Sequence, residues 1–125
     1  MAEEYDDSWD DVKVDLDLGE GHLLTFSSWS PDRELNPQYA GIPDIPKCGA
    51  IIAHPRADGK YPRSDGSPRI CRSGIFFDVG QVRQVFGDKP IWHVESWEPL
   101  TLSPSVLCRE CGDHGFVRSG KWVRA

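Results

Sequence analysis

The sequence predicts a mainly β fold: a small antiparallel sheet or zinc-ribbon-like domain with long irregular loops and at most one short helix. Twelve Gly and ten Pro among 125 residues exceed the usual combined share of these turn formers, which is about 12%. Residues 12–18 alternate apolar and polar side chains with the period of two that indicates a half-buried strand. Because a chain of this length forms one hydrophobic core, we expect a single domain over residues 12–125 after an acidic tail at residues 1–11.

Charge is distributed unevenly along the chain. The formal net charge is −6, but residues 1–20 hold nine acidic side chains and a single basic one, Lys13. Residues 21–125 hold 11 acidic and 13 basic side chains. The acidic tail also contains Trp9, and an aromatic side chain among acids is typical of a segment that docks on a protein partner or folds back onto the domain's own basic surface.

The first half of the chain is predicted to contain one hairpin and one long irregular segment. Strand 12–18 is followed by turn residues 19–22 and by a second strand at residues 23–29. Residues 30–47 contain four Pro and show no periodicity, so we expect an irregular crossing there. A basic, turn-rich stretch follows at residues 54–72.

The other predicted elements are short. Val79, Val82 and Val85 fall at helical spacing, which predicts a helix over residues 78–86. A closing hairpin is expected over residues 116–123, with Ser119-Gly120 in its turn. Further short strands are expected at residues 49–53, 75–77, 91–94 and 100–102.

The amino terminus is acidic, whereas a secretory signal is basic and then apolar, and no apolar run approaches the roughly 18 residues that a membrane span requires. We therefore expect a soluble cytoplasmic protein with no membrane partner. In that compartment cysteines bind metals more often than they form disulfides. The four cysteines are thus interpreted as metal ligands.

Cys108 and Cys111 form a CxxC pair, whose sulfur atoms can reach the same zinc ion because a tight turn brings them together. Gly112 suits such a knuckle, since Gly tolerates a left-handed backbone. One pair supplies half of a zinc site. The remaining ligands are sought among Cys48, Cys71, His54 and His114.

Two four-ligand sets for zinc remain open. One set is Cys48, Cys71, Cys108 and Cys111; the other replaces Cys108 with His114. Four protein ligands make a structural site, whereas three ligands and a water make a catalytic one. Either set would join the middle of the chain to its carboxyl end and stabilise a domain rich in Gly and Pro.

Ser103 and Ser105 flank Pro104 shortly before the CxxC pair. Each could act as a nucleophile if a base lay within hydrogen-bond reach. The plainer interpretation is that this segment ends a strand and directs the chain toward the metal. Since the sequence contains no HExxH, no GxSxG and no phosphate-binding glycine loop, the residues alone indicate a metal site more clearly than a reaction.

Two carboxyl-terminal segments, residues 100–107 and 111–122, resemble a family of small, uncharacterised zinc-binding proteins that is frequent in bacteriophages and prophages. Ser103-Pro104-Ser105 matches the SPS motif of that family, and Cys111 and His114 match its CxxH motif. The resemblance implies a bound zinc ion and the cytoplasm of an infected or lysogenic bacterium. Related domains beside ubiquitin-like conjugation genes have been suspected of peptidase activity, so the resemblance also implies an enzyme as an alternative.

Three hypotheses of function follow. The leading one is a phage-type accessory protein with structural zinc that binds a host or phage macromolecule through its acidic amino end and is not an enzyme. The first alternative is a zinc-dependent, peptidase-like hydrolase that uses a metal-bound water, and the second is a nucleic-acid-binding module. The basic side chains nominated for nucleic-acid binding in the middle of the chain are Arg56, Lys60, Arg63, Arg69 and Arg72.

Overall fold

The computed structural model describes residues 13–125. Within this range the chain forms nine β-strands and one short α-helix, so the predicted mainly β fold class is confirmed. The acidic tail at residues 1–11 and Trp9 lie outside the described residues. No helix within residues 13–125 is long and apolar enough to cross a bilayer.

Six strands form the larger sheet, in their order along the chain. They are β1 (Leu16–Gly19), β2 (His22–Trp29), β3 (Ile45–Pro55), β4 (Ile70–Phe77), β5 (Ile91–Trp97) and β6 (Leu100–Ser103). Neighbouring strands are antiparallel except for β4 and β5, which are parallel. The connection between these two strands contains the helix α1 (Val82–Phe86), because a parallel pair requires a crossover rather than a tight turn.

Three strands form the smaller sheet, which is antiparallel and has β8 in its centre. They are β7 (Val106–Leu107), β8 (His114–Arg118) and β9 (Lys121–Arg124). Ser119 and Gly120 connect β8 to β9 with positive φ angles of 51° and 74°, as a two-residue turn between twisted strands requires. The predicted closing hairpin and its turn are therefore confirmed.

The hydrophobic core lies where the inner faces of the two sheets meet. Phe77 of the larger sheet and Val117 of the smaller one are both 0% exposed. Full burial of such a side chain stabilises the fold by roughly 1.5–3 kcal/mol. The other buried members of this core are Leu18, Leu24, Ala50, Ile52, Ile75, Leu100, Leu102, Val106 and Trp122.

The predicted first hairpin is present, although β1 covers Leu16–Gly19 instead of residues 12–18. Several other predicted elements also have different bounds: β4, for example, begins at Ile70 and not at residue 75. Strand β3 begins at Ile45, inside the segment that was expected to be irregular, because Ile45 pairs with Trp29 at the end of β2. The helix covers Val82–Phe86 instead of residues 78–86. The helix begins after Gly80 because Gly80 has a φ angle of 50°, whereas residues in a right-handed helix have a negative φ angle.

Candidate functional site

The CxxC segment forms a tight knuckle between β7 and β8. The backbone N–H of Gly112 donates to the carbonyl of Cys108 at 2.8 Å, and the N–H of Cys108 donates to the carbonyl of Asp113 at 2.7 Å. Gly112 has a φ angle of 83°, which is why a residue without a Cβ suits this position. The knuckle therefore holds the side chains of Cys108 and Cys111 on one side of the turn.

A pair of neighbouring strands brings two further candidate ligands to this knuckle. His54 near the end of β3 lies directly opposite Cys71 near the start of β4. The Sγ atoms of Cys71 and Cys108 are 3.5 Å apart, and Nδ1 of His54 is 4.0 Å from Sγ of Cys111. One ligand atom from each of the four residues lies within 4.8 Å of the others.

The geometry of this cluster of His54, Cys71, Cys108 and Cys111, named the metal-binding cluster for the ion that it could hold, suits a metal ion. All four residues are buried, and the four thiols of the protein are free, without disulfides. In a tetrahedral zinc site with Zn–S bonds of about 2.3 Å, neighbouring ligand atoms are about 3.8 Å apart. The separations of 3.5 and 4.0 Å are close to this value, so the cluster could hold one ion.

Burial governs the protonation of the cluster in the absence of a cation. Burial raises the pKa of the Cys71 and Cys111 thiols and lowers the pKa of His54. Cys108 is different: burial opposes its ionisation, but hydrogen bonds from the Ser73 hydroxyl and backbone N–H groups outweigh that effect and lower its pKa. A metal ion binds thiolates and neutral imidazole, and in this cluster the imidazole is already favoured in its neutral form.

The structure brings together three of the five residues that make up the two predicted ligand sets, namely Cys71, Cys108 and Cys111. Cys48 lies outside the cluster: it is packed with Ile45 and Val82 in a separate apolar cluster, and burial raises the pKa of its thiol. His114 also lies outside the cluster. The fourth position is held by His54, which the sequence analysis considered but placed in neither ligand set.

A hydrogen-bonded layer surrounds the metal-binding cluster. Nε2 of His54 lies 3.0 Å from the hydroxyl oxygen of Ser73. A carboxylate oxygen of Asp113 is 2.7 Å from Nε2 of His22 and 3.6 Å from Nδ1 of His54. The ring of His22 in turn stacks on Trp122 with ring centroids 4.1 Å apart. Such contacts orient imidazole ligands, and here they connect the knuckle to the first hairpin.

His114 participates in a second arrangement, with Ser105. Its Nε2 atom lies 2.8 Å from the hydroxyl oxygen of Ser105. Ser105 directly precedes β7 and His114 begins β8, and these strands pair in the antiparallel register that sets Leu107 opposite His114. The indole N–H of Trp92 donates to the Ser105 carbonyl at 3.1 Å, which holds the backbone of this serine from the larger sheet.

A polar cavity of about 430 Å³ lies beside His114. Arg56, Arg124 and the knuckle residue Gly112 are part of its wall. His22 and Asp113 also belong to this wall, so the cavity lies next to the hydrogen-bonded layer as well as to His114.

The basic stretch at residues 54–72 is engaged largely with itself and with the knuckle. Arg56 forms a bidentate salt bridge with Asp58, in which Nε and Nη2 donate to the two carboxylate oxygens at 3.0 and 2.8 Å. Its Nη2 also donates to the Glu110 carbonyl at 3.2 Å. Nε of Arg69 donates to the carbonyl of Tyr61 at 2.6 Å. The nucleic-acid role proposed for Arg56, Lys60, Arg63, Arg69 and Arg72 stays a prediction.

One comparison with known proteins identifies a similar family. A family model described as bacterial ubiquitination-like system serine protease (BubE) matches residues 70–125. This segment contains Ser105, His114 and the three cysteines of the metal-binding cluster, but not His54. The comparisons with curated proteins and with solved structures give no match. The resemblance to the phage and prophage family concerns the same end of the chain and stays a prediction.

Proposed function

We propose that this chain is a serine-type hydrolase of polypeptide substrates, in which Ser105 is the nucleophile and His114 the general base. The observation that carries this proposal is the distance of 2.8 Å between the Ser105 hydroxyl oxygen and Nε2 of His114. A serine hydroxyl is a weak nucleophile unless a base lies within hydrogen-bond reach. Both residues fall in the segment that is similar to the serine protease family.

The pair performs acyl transfer in two steps. In the first, His114 accepts the Ser105 hydroxyl proton while Oγ attacks the substrate carbonyl; the imidazole then gives that proton to the leaving amine or alcohol, leaving an ester on Ser105. In the second, water attacks this ester, gives a proton to His114, and the acid product departs as Oγ regains its proton.

The metal-binding cluster has a structural role in this proposal, and we assign zinc to it. The cluster offers four protein ligand atoms within 4.8 Å of one another, and four protein ligands are what structural zinc sites use. Zinc bound there would fix the knuckle against β3 and β4. Because His114 follows Cys111 by only three residues, the position of the catalytic base depends on that knuckle. A reaction by a metal-bound water, the earlier hydrolase alternative, would require one of the four ligands to leave.

The substrate class follows from the description of the similar family. A protease of a bacterial ubiquitination-like system acts on a polypeptide, so we propose an amide or ester bond in an extended polypeptide segment as the target. The exposed position of His114 on the surface of the smaller sheet suits such a substrate. The alternative of an accessory protein that binds a macromolecule through its acidic end depends on residues 1–11 and stays a prediction, as do its phage origin and cytoplasmic location.

A fluorophosphonate reagent, which reacts with activated serines, tests the proposal directly. We expect the full chain to be labelled at one serine, and labelling to be abolished by Ser105→Ala and strongly reduced by His114→Ala. Ser103→Ala is the matched control, since Ser103 lies in the same Ser-Pro-Ser segment and should not affect labelling. Equal labelling of wild type and Ser105→Ala would show that Ser105 is not the nucleophile.

A further inference from the structure

The outer face of the smaller sheet carries exposed side chains beside the Ser105–His114 pair. Along β8, Gly115 and Val117 are buried, whereas His114, Phe116 and Arg118 alternate with them and point outward. The alternation is expected for a strand with one face on the core and one in solvent. The catalytic base therefore shares a surface with its neighbours along the strand.

Apolar side chains make a continuous strip on this outer face. Leu107 lies opposite His114, and Val123 lies opposite Phe116. Leu107 is 50% exposed and Val123 is 39% exposed. Single exposed apolar side chains are ordinary, but neighbouring ones that line a functional group indicate a contact surface.

Positive charge lies at the far end of the same strip. Arg118 and Lys121 face each other at the end of the β8–β9 hairpin. The guanidinium carbon of Arg118 is 4.0 Å from the centroid of the Phe116 ring, so this cation lies directly on the apolar strip. On strands β7 to β9, as the structure describes them, no outward-facing side chain is Asp or Glu.

We propose that this face of β7, β8 and β9 is the substrate-docking surface, and that its occupant is an extended polypeptide with an apolar side chain near the cleaved bond and carboxylates further along. The inference rests on the proposed function. A carbonyl that reacts with Ser105 must lie about 3–3.5 Å from its hydroxyl oxygen, so adjacent substrate residues must cross the neighbouring strip. Leu107, Phe116 and Val123 fit an apolar side chain, and Arg118 and Lys121 fit carboxylates.

Binding of two fluorescein-labelled peptides to the full chain carrying Ser105→Ala tests this inference. Both peptides contain one Leu; three Asp follow it in one peptide and three Lys in the other. We expect the Asp peptide to bind about tenfold more tightly in fluorescence anisotropy, with an affinity that falls as salt is added. Equal affinity for the two peptides, or a preference for the Lys peptide, would overturn the docking surface.

Substitutions on the outer face of the smaller sheet test whether the peptide binds there. We expect Val123→Ser and Arg118→Glu, each added to Ser105→Ala, to weaken binding of the Asp peptide by about fivefold or more. Leu35→Ser is the matched control because Leu35 is 79% exposed and lies in the segment between β2 and β3. Unchanged affinity in both strip variants would also overturn the inference. Fluorophosphonate labelling of wild type without peptide reports on the reactivity of Ser105 and requires no docked peptide, so failure of the proposed function is recognised separately.

Discussion

His54 and Cys71 lie directly opposite each other in the antiparallel pairing of β3 with β4. This register sets a nitrogen and a sulfur atom that could bind a metal ion on adjacent strands, close to the sulfur atoms of the knuckle that carries Cys108 and Cys111. The metal-binding cluster thus joins the middle of the chain to its carboxyl-terminal segment. A metal ion held there would connect the two sheets.

Metal content distinguishes the four residues of the cluster from the two other predicted ligands. We expect about one zinc ion per chain by mass spectrometry, with loss of that ion in Cys71→Ser, Cys111→Ser and His54→Ala, because a structural site needs its complete ligand set. Cys48→Ser and His114→Ala should retain the metal. Retention of zinc in His54→Ala together with its loss in Cys48→Ser would contradict the assigned ligand set.

Removal of the metal should also unfold the site. Binding of a structural zinc ion contributes directly to folding free energy, so treatment with a chelator should lower the midpoint of thermal unfolding and reduce fluorophosphonate labelling at Ser105 together. Readdition of zinc should restore both. Full labelling in the metal-free protein would show that the position of His114 is independent of the knuckle.

Local features of the site were predictable from the sequence, and long-range features were not. The CxxC knuckle and the Ser119-Gly120 turn depend on residues within a few positions of one another, so their geometry follows from local backbone preferences. The position of His54 in the metal-binding cluster depends on the register between β3 and β4, and the spacing of residues along the chain does not reveal that register. Cys48 precedes a Gly, as a knuckle cysteine does, yet it packs in an apolar cluster instead.

The Ser105–His114 pair illustrates the same limit. The sequence offers Ser105 as a possible nucleophile that requires a base, whereas the spacing of His114 from Cys111 suggests a metal ligand. The pairing of β7 with β8 favours the proposed catalytic role, since it brings the imidazole to Ser105. A second hairpin over residues 105–118, with the CxxC knuckle as its connection, predicts the contact between Ser105 and His114.

The ion pair of Asp58 with Arg56 predicts a pH-dependent contribution to stability. The hydrogen bond from Arg56, followed by that from the backbone N–H of Lys60, lowers the pKa of Asp58 to about 2. Since this pKa lies below the unfolded value of about 3.9, the pair stabilises the fold above that value and ceases to do so as the pH falls through about 2. Urea unfolding should therefore show Asp58→Asn to be less stable than wild type near pH 7.

The difference between wild type and Asp58→Asn should shrink as the pH falls from about 4 to about 2. Asp88→Asn, in the loop between α1 and β5, is the control for a general change in net charge. A difference that is the same at both ends of this range would contradict the assignment of the stabilisation to the Asp58 carboxylate.

Close packing at Gly115 predicts that a single methyl group disturbs the sheet that carries His114. A Cβ atom at Gly115 would lie 2.5 Å from carbon atoms of the Trp122 indole, which is 4% exposed. We expect Gly115→Ala to destabilise the protein by about 1–3 kcal/mol, because the buried ring has to move. Gly74→Ala is the control, since a Cβ there meets nothing within 4 Å. Equal urea midpoints for the two variants would contradict this interpretation.

The hydrogen bond from Trp92 to the Ser105 carbonyl predicts a positioning role for this indole in the proposed reaction. Trp92→Phe keeps an aromatic ring in the partly buried site but removes the N–H that holds the nucleophile's backbone at 3.1 Å. Because small displacements of a reacting group have large effects on rate, we expect kcat for a peptide substrate to fall by about tenfold, with KM little changed. Trp97→Phe, in the same strand, is the matched control. A larger change in KM than in kcat, or equal losses of kcat in the two variants, would show that Trp92 supports the fold and not the position of Ser105.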